Sequence, residues 1–336
     1  MIAATDDGDV LVLRVLGLGD ALTGIAALRG VRRAWPGRRL VFAAPAGLGG
    51  WLRTLGVVDA VLPTDGLEPF GSGALAKAGV RPGHVAVNLH GRGPQSHRVL
   101  AATSPSRLVA FACPDAGHDD GPPWQAEEHE VARWCRLVRW AGGACDAEDL
   151  RLPAPGTRGE VVVLHPGAAS GSRRWPAERW AELARRLTAR GHPVAVTGST
   201  AERALCERVA GGGVAPESCA IASGEVRSLA GSLNLHALAD AVGQARLLVC
   251  GDTGVTHLAT ALGTPSVLLF GPTPPQWWGP TIDLERHRVL WHGTGRGDPH
   301  ADVLDQALAA ITIEEVWAAT AELLGDAERI SLHPSA

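Results

Sequence analysis

Three stretches of the sequence join charged side chains to small residues in a spacing suited to group transfer. In Arg14-Val15-Leu16-Gly17-Leu18-Gly19-Asp20 an apolar run meets a glycine turn and then an acid. A carboxylate there suits removal of a proton from an acceptor hydroxyl. The same placement also suits an N-cap, whose side chain accepts the free N–H groups of the following helix. A dinucleotide site fits poorly, because the G-x-G string lacks its third glycine and Asp20 would repel a pyrophosphate at the helix start. The second stretch runs His165-Pro166-Gly167-Ala168-Ala169-Ser170-Gly171-Ser172-Arg173-Arg174-Trp175-Pro176. Its small residues expose backbone N–H groups, and its two guanidiniums can neutralise phosphate oxygens; adjacent arginines are equally a common solvated surface feature. In the third, Cys250-Gly251-Asp252-Thr253-Gly254-Val255-Thr256-His257, the N–H groups of Thr253, Gly254 and Val255 open a helix and can meet an anion. A helix start contributes only about 0.3–1 kcal/mol per favourable charge, so the arginines would be needed too. Asp252 as a structural cap and His257 as a core histidine form the competing reading.

These residues act together only if strands and helices deliver them to one edge. Short apolar runs bounded by Gly or Pro alternate with segments of helical period, predicting strand 10–15, helix 22–35 and strand 40–44. Further strands are predicted at 60–62, 85–89 and 108–111, with a helix over 128–140. Residues 142–159 lose apolar periodicity and are rich in Gly, Pro and charge, as a connection would be, which places a boundary near Pro155. The alternation then restarts with strands at 161–164, 193–197, 247–250 and 266–270, and helices at 176–190, 201–209, 235–242, 255–262 and 312–324. The last opens with Thr312 and Glu315 in capping-box spacing. Parallel strands need crossover helices, so the pattern predicts two parallel, doubly wound sheets in domains 1–155 and 156–336. In such sheets ligands bind at the carboxyl edge, where all three stretches fall.

The 336 residues suffice for two domains with their own cores. A net charge of −4 without a basic block argues against nucleic acid as a partner, and no apolar run approaches a membrane span, so a cytoplasmic protein is expected. Cys113, Cys135, Cys145, Cys206, Cys219 and Cys250 include no Cys-x-x-Cys pair and are read as reduced, structural thiols. His165, His257, His292 and His300 lack metal spacing and no carboxylate triad appears, so neither metal nor cofactor is expected. Of 31 basic residues only Lys77 is lysine, a mark of GC-rich codon bias.

Together, R-x-x-x-L-G-D at Arg14 to Asp20, H-P-G-A then R-R-W-P, D-T-G-x-x-H-L-A, and F-G-P-T at Phe270 to Thr273 resemble glycosyltransferase family 9, the ADP-heptose heptosyltransferases of lipopolysaccharide assembly. The likeness extends over nearly the whole chain, with smaller echoes at Glu128-His129-Glu130-Val131 and Ile313-Glu314-Glu315-Val316. The resemblance implies the GT-B fold, two Rossmann-like domains facing a central cleft, the first holding the acceptor and the second the nucleotide sugar. It implies inverting, metal-independent transfer with Asp20 as general base and Arg173 stabilising the departing diphosphate. Gly167, Ser170, Arg174, Asp252, Thr253, Gly254, Val255 and His257 fall on the donor side. Glu202 matches more loosely an acid that holds the ribose, and a first-turn helix carboxylate is its other reading. Gly19, Asn88, His90 and Arg92 fall on the acceptor side.

Two departures from the family stand out. Arg173 takes the place of a common lysine, and a family D-x-Q-G string appears as Asn88-Leu89-His90-Gly91. The second, on the acceptor side, together with the absence of a basic amphipathic segment for docking on a bilayer, favours a soluble acceptor such as an aminoglycoside or nucleoside, with an ADP- or GDP-linked heptose or related sugar as donor. Transfer to lipopolysaccharide core, epimerisation of a nucleotide sugar without transfer, and non-catalytic binding are the alternatives. Trp277-Trp278 either lines the donor site or packs beneath a loop.

Overall fold

The computed structural model describes residues 8–154, 156–211 and 221–325; Pro155 and Cys219 lie outside them. The chain divides into two compact units, Met1–Leu150 and Arg151–Ala336. Each is a parallel sheet flanked by helices, the α/β architecture of the GT-B class.

The first sheet comprises β1 (Val10–Leu13), β2 (Leu40–Ala44), β3 (Ala60–Pro63), β4 (Val85–Asn88) and β5 (Arg107–Val109), in the order β3-β2-β1-β4-β5. All pairs are parallel. The β1 sequence Val-Leu-Val-Leu is buried at every position, as a central strand covered on both faces must be. Fully burying each such side chain contributes about 1.5–3 kcal/mol.

The single helix predicted over 22–35 is instead two, Leu18–Thr23 and Ile25–Ala34, meeting at Gly24. A Cβ on Gly24 would lie 3.1 Å from Cδ of Arg14, whose buried side chain fills the space beside the break. Because the helix begins at Leu18, Gly17 is the N-cap and Asp20 the third helical residue. The N-cap reading of Asp20 is thereby replaced. Helices Ala46–Thr54 and Gln95–Ala101 also appear where none was predicted.

The second sheet comprises β6 (Val162–His165), β7 (Val194–Val196), β8 (Val226–Ser228), β9 (Leu247–Gly251), β10 (Ser266–Leu269) and β11 (His287–Leu290), in the order β11-β10-β9-β6-β7-β8. All pairs are again parallel. Its core joins Val162, Leu164, Val249 and Leu269 to Trp175, Trp180, Leu183 and Val316 from loops and helices. The Thr312–Glu315 capping box forms at the start of helix Ile313–Leu324. Strands β8 and β11 were not predicted.

In each sheet chain order reverses between two neighbouring strands, β1 and β4 in the first and β6 and β9 in the second. Crevices at the carboxyl ends of such pairs are where open α/β sheets bind ligands.

Candidate functional site

At the β1/β4 reversal, β1 runs into Arg14 and the helix carrying Asp20, while β4 runs into Asn88, Leu89 and His90. Arg14 is wholly buried. Its guanidinium donates to the backbone oxygens of Asp20 and Leu89, to Thr23 Oγ1 at 3.2 Å and to Glu130 Oε1 at 3.0 Å. It also lies over the Trp134 ring, 4.8 Å from its centroid. Glu130, at the start of helix Glu130–Trp140, accepts further from Arg133 and from Trp134 Nε1 at 2.7 Å. Burial works to raise the proton affinity of Glu130, but Arg14 and Arg133 hold its pKa below the ordinary value.

The Asp20 side chain stays 31% exposed, with Oδ1 3.7 Å from Arg14 Nη2. Partial burial, with a smaller push from Glu130, lifts its pKa above the ordinary carboxylate value despite the opposing charge of Arg14. A partly exposed carboxylate with raised proton affinity is chemically a base for an incoming hydroxyl. Gly19 lies beside it in the same half-buried helical turn.

The other residues expected on the acceptor side separate. His90 is half-buried, its Nδ1 accepting from the Val15 N–H at 3.2 Å; burial and then Arg14 lower its pKa. Asn88 is fully buried, its Nδ2 donating to Ser96 Oγ at 2.9 Å and to His97 Nδ1 at 3.1 Å, its Oδ1 accepting from the His90 N–H at 3.0 Å. Asn88 therefore shapes the loop from within and presents no contact surface. Arg92 is exposed.

At the β6/β9 reversal the loop Gly167 to Arg174 and the segment from Asp252 emerge side by side. Asp252 is buried, and burial pushes its carboxyl up to about 6 against the lowering influence of Arg173 and of the Thr273 hydroxyl hydrogen-bonded to it. Arg173 is half-buried; its Nε donates to Ser170 Oγ at 3.2 Å and its Nη1 to the Asp252 carbonyl at 3.4 Å. These contacts are long, leaving most of the guanidinium's donors for a ligand. A later segment braces the loop: Ser170 Oγ donates to the Pro299 carbonyl at 2.6 Å, and the Ser172 N–H to the Ala301 carbonyl at 2.9 Å.

Thr253 caps helix Gly254–Leu262, its hydroxyl accepting from the Val255 N–H at 3.3 Å. The Val255 N–H is thus occupied, so of the three N–H groups expected to meet an anion it is the one already taken. His257 is buried against Trp278, ring centroids 5.8 Å apart, and Trp277 lies under Arg296 at 5.9 Å. Arg174 is exposed, with Nε donating to the Ala168 carbonyl at 2.9 Å. Glu202 completes a capping box, Oε2 accepting from the Ser199 N–H and hydroxyl, each at 2.8 Å. Its carboxylate also rests against Gly167, where any Cβ would meet Oε1 at 2.0 Å. The helix-start reading of Glu202 is the one its hydrogen bonds display.

Three contributors escaped the reading of single motifs. Arg14 and Glu130 lie within quoted strings but pair across 116 residues, and Thr273 is the terminal residue of F-G-P-T. Among the described residues no three His, Cys, Asp or Glu side chains come together as a metal-holding group. No helix among them is long and apolar enough to cross a membrane. The five described cysteines are free and buried.

Comparison with known proteins bears on this arrangement. The profile of glycosyltransferase family 9 (heptosyltransferase) matches residues 125–294, half of the 336-residue chain. The lipooligosaccharide heptosyltransferase 2 of Haemophilus influenzae is 34% identical over 128 residues, 37% of this chain and 34% of that protein. The lipopolysaccharide heptosyltransferase 1 of Pseudomonas aeruginosa is 38% identical over 135 residues, 40% of this chain and 34% of that protein. The matched stretch thus spans about a third of the length of each of these two relatives. Among solved structures, the Escherichia coli ADP-heptose lps heptosyltransferase II superposes with a TM-score of 0.74 at 21% identity, covering 95% of this chain and 99% of that one. A glycosyl transferase family 9 structure from Veillonella parvula gives 0.75 at 18% identity, covering 95% and 98%. The chain belongs to glycosyltransferase family 9, the heptosyltransferase family.

Proposed function

We propose that this protein is an inverting, metal-independent heptosyltransferase that moves a heptose from a nucleotide-diphosphate donor, ADP-heptose first among the candidates, to a hydroxyl of a lipopolysaccharide-type core saccharide. In this reading the unit Met1–Leu150 handles the acceptor and Arg151–Ala336 the donor. The protein works in the cytoplasm on acceptors presented there. Asp20 takes the acceptor proton, and the freed oxygen attacks the anomeric carbon on the face opposite the diphosphate. The bond from that carbon to the diphosphate oxygen breaks, and configuration inverts. Arg173 and the Thr253 and Gly254 N–H groups meet the charge that develops on the leaving group, where preorganised donors act most strongly.

The observation that carries the reading is Arg173 set beside the Asp252 segment at the β6/β9 reversal, inside the stretch matched by the family profile. The core-saccharide acceptor displaces the soluble natural product favoured on sequence grounds. The named relatives are lipopolysaccharide and lipooligosaccharide enzymes, and the buried Asn88 no longer speaks about the acceptor.

The test incubates purified protein and ADP-heptose with heptose-deficient core acceptor, or with an aminoglycoside panel, in the presence of EDTA. Nucleotide diphosphate release and the product's anomeric configuration are followed by NMR. Inverted product on the core acceptor is expected. Turnover on the aminoglycosides alone overturns the acceptor, release of a free epimer overturns transfer, and loss of activity in EDTA overturns metal independence. Donor binding without any turnover would leave a sugar-nucleotide binder.

A further inference from the structure

We propose that Arg14 is the positioning residue for Asp20: its donors fix the turn that carries the acid, its charge steadies the carboxylate, and Glu130 keeps the guanidinium from closing on that carboxylate. This rests on the reading of Asp20 as the base. Arg14 donates to the backbone oxygen of Asp20 itself, and to Leu89 on the opposing loop, so one planar group ties both sides of the β1/β4 reversal. Its Nη2 lies 3.0 Å from Glu130 Oε1 but 3.7 Å from Asp20 Oδ1. The first separation is a charge-assisted hydrogen bond and the second is not. Arg14 therefore does not occupy the Asp20 carboxylate, which takes backbone hydrogen bonds at Gly17 and Asp20 and stays partly exposed to an incoming hydroxyl.

An arginine in direct contact would depress the pKa of Asp20 and weaken it as a base. With no arginine at all, the partly buried carboxyl would hold its proton too firmly to start the reaction. The Trp134 ring over Arg14 and the Trp134 Nε1 bond to Glu130 fix the guanidinium at the intermediate distance. The charged groups facing Asp20 are Arg14 from the end of β1 and Glu130 from helix Glu130–Trp140, with Arg133 behind Glu130; His90, from the loop after β4, has its pKa lowered by burial and Arg14.

The experiment compares pH profiles of kcat/KM for the full chain with those of Arg14→Gln, Arg14→Lys and Glu130→Gln. Removing the Arg14 charge makes Asp20 bind its proton more tightly, so the acid limb of Arg14→Gln moves to higher pH by about one unit. Removing the Glu130 charge has the opposite sign and frees Arg14 to approach Asp20, so the limb of Glu130→Gln moves to lower pH. Arg14→Lys restores the limb's position with a reduced kcat, because one ammonium cannot reproduce the planar fork. A purely structural role predicts unmoved limbs, or limbs moving together, and either result overturns the proposal. Should Arg14→Gln not fold, an unmoved limb in Glu130→Gln suffices to overturn it. Titration of the Asp20 carboxyl by 13C NMR in the same variants separates the two readings: if Asp20→Asn keeps full activity, the base assignment fails, while the titration still decides whether Arg14 and Glu130 act on Asp20.

Discussion

The two chain reversals use the same pair of residue types in opposite ways. At β1/β4 the arginine is the buried partner: Arg14 is saturated with internal acceptors while the Asp20 side chain is 31% exposed. At β6/β9 the acid is the buried partner: Asp252 is 6% exposed, held by Thr273, while Arg173 keeps long contacts and spare donors. Fixing the cation and offering the acid makes a proton acceptor. Fixing the acid and offering the cation makes an anion grip. In the proposed reaction, one sheet architecture would serve both halves of the transfer by exchanging which member of the pair is locked.

The largest effect that breaks this contrast is expected at the offered cation. Arg173→Ala should lower kcat by about 10²–10³, the cost of deleting one transition-state donor, whereas Arg173→Lys should retain most activity. Steady-state kinetics at saturating donor separates them, and equal losses in both variants would mean that shape, not charge, matters there.

The buried acid gives a smaller effect with an unusual sign. The Asp252 carboxyl is raised from 3.8 to about 6, so the stability tied to its protonated form is complete below pH 3.8 and is lost as pH rises through about 6. Asp252→Asn should therefore be more stable than the parent at pH 8, by up to about 3 kcal/mol, with a gap that narrows toward pH 4. Urea unfolding at the two pH values checks this, and a destabilised variant at pH 8 would show that Thr273 and Arg173 outweigh the burial of the charge.

The smallest effect belongs to Arg174. Exposed and bonded only to the Ala168 carbonyl in this loop, it should tolerate alanine with less than a roughly twofold change in kcat/KM, as surface substitutions do. A large loss would move the grip from Arg173 to its neighbour.

The central strands were legible because parallel strands covered on both faces must be continuous apolar runs, and β2, at Leu40–Ala44, falls where its Leu-Val-Phe-Ala-Ala run places it. The edge strands of the second sheet were not. β8 reads Val-Arg-Ser and β11 His-Arg-Val-Leu, polar enough to pass for loops once burial on one side is lost. The motif residues themselves stood out, but their partners did not. Nothing local to Arg14 announces Glu130, and nothing near Asp252 announces Thr273, since both pairings exist only after the sheets form. Asp20 lies at a helix start, as its turn suggested, yet three residues beyond the cap, as the third helical residue. Asn88 shows the converse error: a polar residue at a carboxyl edge looked like a contact and proved to be internal stitching.

The Arg14–Glu130 link spans 116 positions of sequence. A guanidinium shut away from water without a counter-ion is strongly unfavourable, so docking of helix Glu130–Trp140 stabilises the burial of Arg14 at the end of the first strand. A chain cut short before that helix is therefore expected to leave Arg14 without its counter-ion and the first strand destabilised.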